Sequence, residues 1–353
     1  MTAIAARARS TSAAPSDAAA TPRHVERGIE HDLPVSFDGV LRAATALSGV
    51  LPATPSWRYP LLDEMAGCEV VVKQENVQPT GAFKVRGGMA LVAGMVERLG
   101  SGLPEGLVTA STGNHAQSIA YAARAHGLGA VIVMPSCAPE VKRRAVEALG
   151  ARVVIEDGTV TDAVRAARER AAGAGWYFVS PCEEPDIIHG HATVYLELLR
   201  EHPDLEAVYV PVGSGSGAAG ACLVRDAIAP SCRIIGVQSA QAPAAWRAWR
   251  EGRPVEDVCT TRASGLAVAA SSGLPQRVMR GALDDFILVD DDAIDDARRL
   301  LASCAHTLAE GAGAASLAGL LADGDRPRRC AVVVSGGVAD AAELADLGAP
   351  SRR

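Results

Sequence analysis

The feature that most constrains this chain is a series of short, uninterrupted apolar segments, each followed by a stretch long enough for a helix. Strands are expected at residues 68–73, 107–110, 130–134, 152–155 and 177–179, and again at 207–212, 234–237, 286–289 and 330–334. Helices are expected at 35–48, 87–99, 114–126, 139–149, 161–174 and 218–227. A strand that is apolar on both faces needs cover on both faces, the condition of a parallel sheet between layers of helix. The spacing is that of repeated βαβ units, so the expected class is α/β. No repeat of solenoid period is present. Between residues 253 and 278 the rhythm lapses into small residues and turns, which reads as a loop region near a site or a subunit contact.

The 353 residues suffice for two compact lobes. Apolar residues make up 48% but aromatics only 4%, which suits close helix–sheet packing through small side chains. A net charge of −7 argues against nucleic acid as the main partner. No apolar run is long enough to cross a bilayer. The eight cysteines form no CxxC pair and no metal-ligand spacing with histidine. They read as reduced, core-filling thiols of a cytoplasmic protein, with no metal. Residues 1–25, rich in Ala, Ser, Thr, Arg and Pro, are expected to be a disordered tail. They lack a secretory apolar core, and a transit peptide is the alternative.

The basic residues are distributed unevenly. Of 34, only three are lysine: Lys73, Lys84 and Lys142. Arginine stays protonated, whereas a buried lysine can lose its proton and act as a nucleophile or form a Schiff base. Lys84 follows Phe83 and precedes Gly87-Gly88, a setting in which desolvation would lower its pKa. Two readings fit it, a reactive amine and a surface lysine at a helix start.

Ligands of open α/β sheets sit beyond the carboxyl ends of the strands, so the loops there matter most. Ser111-Thr112-Gly113-Asn114-His115 places two hydroxyls and free backbone N–H groups at a helix start, suited to a carboxylate, although one of these residues could simply cap the helix. Gly213-Ser214-Gly215-Ser216-Gly217 lets backbone close around a phosphate. A formal GxGxxG runs from Gly215 to Gly220, but the next strand ends in Gln238 where a dinucleotide fold wants an acid, which counts against nicotinamide. Taken alone, Ser335-Gly336-Gly337 reads as a plain turn that could admit a ligand to the backbone, and Glu310-Gly311-Ala312-Gly313-Ala314-Ala315 as a helix–helix corner.

In this order, QPTGAFKVRGG at 78–88, STGNHAQ at 111–117, PVGSGSGAAG at 211–220, EGAGAAS at 310–316 and SGG at 335–337 resemble the pyridoxal-phosphate enzymes of the serine/threonine dehydratase family, the second fold type. The resemblance runs from about residue 51 to 338. It implies two open, twisted, mostly parallel sheets flanked by helices. A small domain at 108–181 is inserted into a large cofactor-binding domain at 26–107 and 182–353 and closes over the substrate. It implies that Lys84 carries pyridoxal 5′-phosphate as a Schiff base, that Phe83 lies against the pyridine ring, and that Asn114 bonds the ring 3′-oxygen. Ser111, Thr112, Asn114 and His115 surround the substrate carboxylate. Gly213, Ser214, Gly215, Ser216 and Gly217 hold the phosphate. Ser335 faces the pyridine nitrogen, and Glu310 lies near cofactor and substrate. A hydroxyl opposite that nitrogen weakens the electron sink and suits β-elimination.

The departures from the family pattern are informative. Ser214 and Ser216 stand where glycine is common, Ala82 where serine is common, and Val338 where asparagine often follows SGG. Gln238 and Ala244 replace the acids of metal-binding members, so no divalent metal is expected there. Gly190-His191-Ala192-Thr193 replaces Gly-Gln-Gly-Thr. Thr112 keeps a hydroxyl at the position where racemising members have serine. The implied activity is loss of water from L-threonine or L-serine to give a 2-oxo acid and ammonia, with Lys84 as base. The alternatives are racemisation or elimination from a specialised β-hydroxy amino acid, with Thr112 as second acid/base, and a non-catalytic cofactor-binding protein. Absence of sequence beyond Arg353 implies the short, catabolic type without a regulatory domain, and family analogy implies a homodimer.

Overall fold

The computed structural model describes residue 29 and residues 32–136, 138 and 140–348. The tail expected at 1–25 and Cys137 lie outside the described residues. Ten strands are present among them: β1 Ser56–Arg58, β2 Glu69–Gln74, β3 Gly106–Ala110, β4 Gly129–Pro135, β5 Arg152–Glu156, β6 Tyr177–Phe178, β7 Ala207–Pro211, β8 Arg233–Ser239, β9 Asp285–Val289 and β10 Arg329–Val334. They form a six-stranded sheet in the order β1-β2-β10-β7-β8-β9 and a four-stranded sheet in the order β5-β4-β3-β6. The chain leaves the larger sheet after β2, builds the whole smaller sheet, and returns at β7. Every pairing is parallel except that of β1 with β2.

The continuous apolar strands have the cover their composition demands. In β10, Ala331 and Val333 join one core with Val71, Val208 and helices Pro185–Glu201 and Ser216–Ile228. Alternate residues Cys330, Val332 and Val334 join a second core with Val70, Val72 and helix Gly311–Ala322, buried from Gly311 to Leu320. Successive side chains of a strand point to opposite faces, so a strand between two cores must be apolar throughout. Small residues let the layers approach. Gly220 lies so close to Ala192 that a Cβ there would meet its backbone at 2.9 Å.

Several elements differ from the sequence expectation. The helix expected from Gly87 begins at Lys84 and runs to Leu99. Helix Gly273–Ala282 occupies part of the region read as loop. The edge strand β1 and helix Pro185–Glu201 carry too little regular apolar signal to stand out. The latter includes His189, Gly190 and His191, all buried inside the molecule. Among the described residues no helix is long and apolar enough to cross a membrane. Their seven cysteines are free thiols. Four are buried, Cys68 and Cys182 are half-buried, and Cys259 is exposed.

Candidate active site

The site is assembled around the turn that follows β10. Phe83 donates its backbone N–H to the Ser335 carbonyl at 3.0 Å, Gly337 donates to Gly81 at 2.9 Å, and Ala82 forms a bridge with Gly336. Glu310 donates its own N–H to the Gly336 carbonyl at 3.1 Å. One three-residue turn therefore fixes both the loop that ends in Lys84 and the N-cap of helix Gly311–Ala322. A side chain at Gly336 would collide with the Glu310 carboxylate. The Ser335 hydroxyl is buried and donates to the Ala312 carbonyl at 3.3 Å.

Lys84 is the first residue of its helix, which is held by charges buried beneath it. Arg86 Nε reaches Glu75 at 2.8 Å and its Nη1 reaches Glu197 at 2.6 Å, while Lys73 also bonds Glu197 at 2.6 Å. Removing one member would strand buried charge, so this network makes the helix position costly to change. The three lysines are thereby distinguished. Lys73 is committed to a carboxylate, and buried Lys142 donates to the Ser264 hydroxyl at 2.9 Å. Lys84 also donates to a hydroxyl, Ser216 Oγ at 3.2 Å, but it stands at a helix start with its Nζ 4.9 Å from the centre of the Phe83 ring. Loss of hydration pushes its pKa down to about 8.

Two strand-end loops face this amine. After β3, the Ser111 hydroxyl accepts the Gly113 N–H at 3.2 Å, and helix Asn114–Ala125 opens directly behind. Ala116 and Gln117 donate their N–H groups to the Gly113 carbonyl at 3.0 and 3.4 Å, which leaves those of Asn114 and His115 at the open end of the helix. Thr112 is half-buried. Asn114 Nδ2 donates to Glu310 Oε1 at 2.6 Å, and Asn114 Oδ1 is buried without a partner. After β7, Gly215 adopts φ +92° and Ser216 starts helix Ser216–Ile228. Ser214 of this loop is half-buried. Burial raises the Glu310 pKa to about 7, against the Lys142 charge and the Asn114 hydrogen bond.

His115 differs from expectation. The Thr109 hydroxyl spends its single proton on the Val179 carbonyl at 2.8 Å, so at 3.1 Å it accepts from His115 Nε2. The imidazole is buried against the sheet, and its pKa falls to about 3, chiefly through burial and then through the Lys84 charge. It is neutral across the working range, and its backbone N–H rather than a charged ring is what it contributes to the helix start. His191 is a site residue the sequence left without a role. Its ring lies 4.6 Å from that of Phe83, and its Nδ1 is 3.1 Å from Ser216 Oγ. Burial holds this imidazole well below its ordinary pKa, with the Lys84 charge second.

The residues suit pyridoxal phosphate on observations independent of family. A lysine of lowered pKa stands beside an aromatic ring. A buried amide oxygen at Asn114 lacks a partner. In the 213–217 loop the backbone is closely packed: a Cβ at Gly213 would meet the Gly265 carbonyl at 2.7 Å, and Gly215 takes a φ of +92° that favours glycine.

Comparison with known proteins agrees. The family model described as pyridoxal-phosphate dependent enzyme matches residues 47–336. The L-threonine ammonia-lyase of Thermotoga maritima is 34% identical over 87% of this chain and 76% of its own length. The catabolic L-threonine dehydratase TdcB of Escherichia coli is 30% identical over 90% of this chain and 98% of its own. Among solved structures, maize serine racemase superposes with a TM-score of 0.82 at 29% identity, covering 88% of this chain and 95% of that one. The processed form of threonine deaminase isoform 2 from Solanum lycopersicum does so with 0.82 at 28%, covering 93% and 98%.

Proposed function

The chain belongs to the pyridoxal-phosphate dependent enzymes, and on that premise we propose that it removes water from a β-hydroxy amino acid, L-threonine or L-serine, giving a 2-oxo acid and ammonia. The relatives named for threonine dehydration support the substrate. The observation that carries the reading is Lys84, an amine at a helix start whose one hydrogen-bond partner among the described residues is a hydroxyl, with a pKa near 8. Lys84 holds the cofactor in the resting enzyme, with Asn114 at the ring and the 213–217 backbone at the phosphate. Pyridoxal phosphate, when bound, supplies the electron sink for the pair left behind as the substrate Cα proton departs.

The remaining chemistry belongs to the chain's own residues. The N–H groups at the start of helix Asn114–Ala125, with the Ser111 and Thr112 hydroxyls, bind and orient the substrate carboxylate. The Lys84 amine, freed by the substrate amine, takes the Cα proton as general base. The β-hydroxyl takes up the proton that Lys84 has received and leaves as water, which returns the amine to its neutral form. The released unsaturated amine hydrolyses to the oxo acid and ammonia. Neutral His115 and His191 put no competing positive charge beside the amine. Division into a small domain at 108–181 and a large domain around it, a cytoplasmic location, and assembly as a homodimer are parts of the same proposal. Light scattering on the purified protein checks the last, and a monomer overturns it.

The deciding experiment is a visible spectrum of the purified protein with pyridoxal phosphate, before and after L-threonine, with oxo acid assayed in the same cuvette. A cofactor band with oxo-acid formation is expected. A band that shifts on substrate with no oxo acid from threonine or serine overturns the dehydratase reading in favour of racemisation or another substrate. No band at all overturns the assignment of Lys84.

A further inference from the structure

Two departures from the family pattern, His191 and Ser216, lie 25 positions apart in the chain, on different helices, and touch. Ser216 Oγ is the single partner of the Lys84 amine among the described residues, at 3.2 Å. It is also 3.1 Å from His191 Nδ1. A hydroxyl has one proton to give and lone pairs to receive with. Either it turns that proton on Lys84, favouring the neutral amine, or it gives the proton elsewhere and receives from Lys84, favouring the ammonium. The imidazole decides which. His191 is 1% exposed and neutral, so one ring nitrogen must be an acceptor. The ring is clamped by Phe83 on one side and by Gly87 on another, where a Cβ would meet its Nε2 at 2.5 Å.

We infer that His191 is a positioning residue for Lys84: its Nδ1 takes the Ser216 hydroxyl proton, so that Ser216 offers only a lone pair to the lysine amine. The inference rests on the reading of Lys84 as the amine that removes the Cα proton. It gives that amine a fixed seat in the interval when it is detached from the cofactor and carries the substrate proton. The other titratable groups facing Lys84 are His115 on helix Asn114–Ala125 and Cys182 after β6, with Arg86 near His191 on the lysine's own helix. Burial keeps His115 neutral and raises the Cys182 thiol, so neither replaces the pair.

The test measures the basicity of Lys84 directly. With three lysines in the chain, trace labelling with isotopic acetic anhydride across pH, read by mass spectrometry on the Lys84 peptide, gives its titration midpoint in the full chain. Ser216→Ala removes the acceptor and His191→Leu removes the group that orients it. Each is expected to lower the midpoint by at least about half a pH unit, since hydrogen bonds to charged groups exceed neutral ones. The double variant should match Ser216→Ala alone, and His191→Gln, which restores a carbonyl acceptor, should stay close to wild type. In the enzyme with cofactor and L-threonine, the acid limb of the kcat profile should move the same way. An unchanged midpoint in His191→Leu, or additive shifts, overturns the inference; if that variant does not fold, an unchanged midpoint in Ser216→Ala does so. The expected shifts in a protein that makes no oxo acid would leave the positioning intact and overturn the reaction instead.

Discussion

The loops after β3 and β7 share a grammar of serine and glycine before a helix, yet they stand in opposite surroundings. In the 213–217 loop every glycine is backed by protein. A Cβ at Gly213 would meet the Gly265 carbonyl at 2.7 Å, at Gly215 the Met279 methyl at 2.7 Å, and at Gly217 the Tyr195 hydroxyl at 3.3 Å. In the 111–115 loop, none of the described residues lies within 4 Å of such an atom at Gly113. One loop is a cradle finished before any ligand arrives, and the other leaves room. Holding a cofactor that stays suits the first, and admitting a substrate that comes and goes suits the second. Lys84 stands between them, its amine on Ser216 Oγ of one and its carbonyl on Ser118 of the helix that follows the other, while Glu310 ties Asn114 to the turn after β10.

The largest expected effect is at that junction. Lys84→Ala should remove the visible cofactor band and lower oxo-acid formation by more than about 10⁴-fold. Residual elimination above that level would mean that neither loop serves the chemistry assigned to it. Gly215→Ala comes next, because it strains the finished loop twice. The φ of +92° is unfavourable for any residue with a Cβ, and the Met279 contact adds crowding. A cost of about 2–4 kcal/mol follows, read as a lower melting temperature and at least about 30-fold weaker cofactor binding in a fluorescence titration. Wild-type affinity in this variant would show the cradle to be soft.

Glu310 tests what holds the open loop, since its carboxyl accepts from Asn114. Its folded pKa of about 7 lies above the ordinary 4.5, so the folded state keeps a proton that the unfolded state gives up. That contribution to stability is complete below about pH 4.5 and is lost as pH rises through about 7. Glu310→Gln fixes the neutral form. Its stability relative to wild type should therefore rise between pH 4.5 and 7, by on the order of a few kcal/mol, and then level off. Denaturant midpoints measured at about pH 5 and 8 check this. A difference independent of pH would mean that Glu310 stays ionised against Asn114.

Much of this comparison was legible before the structure, and the omissions have physical causes. Strands such as β10 announce themselves because both faces are buried, and the loops follow from the strand ends. Helix Pro185–Glu201 was hidden because His189, Gly190 and His191 break its apolar pattern while being buried themselves. The resemblance puts His115 among the positions around the substrate carboxylate without saying which of its atoms serves, and the structure shows its ring held by the Thr109 hydroxyl of the preceding strand. The His191–Ser216 contact was out of reach altogether, since nothing local in either segment points to the other. It exists only where helices Pro185–Glu201 and Ser216–Ile228 pack.

Thr112 separates the two chemistries the open loop can support. As a carboxylate contact, Thr112→Ala should raise KM several-fold while kcat for elimination changes by less than about tenfold. Production of D-serine from L-serine that Thr112→Ala abolishes, with elimination spared, would instead assign the hydroxyl a proton-transfer role. Chiral chromatography of the reaction mixture distinguishes the outcomes.

The smallest effect is the sharpest test of the comparison itself. Gly113 has a negative φ of −135° and empty space where a Cβ would point, and its N–H bond to Ser111 Oγ survives substitution. Gly113→Ala should therefore cost less than about 1 kcal/mol, mostly through its place as the helix N-cap, and leave cofactor affinity within about twofold of wild type. Any larger change should fall on KM for the amino acid, because the added methyl enters the space left for substrate. If Gly113→Ala weakened cofactor binding as much as Gly215→Ala, the two loops would be equally built for the cofactor. The room around Gly113 would then have no bearing on the substrate.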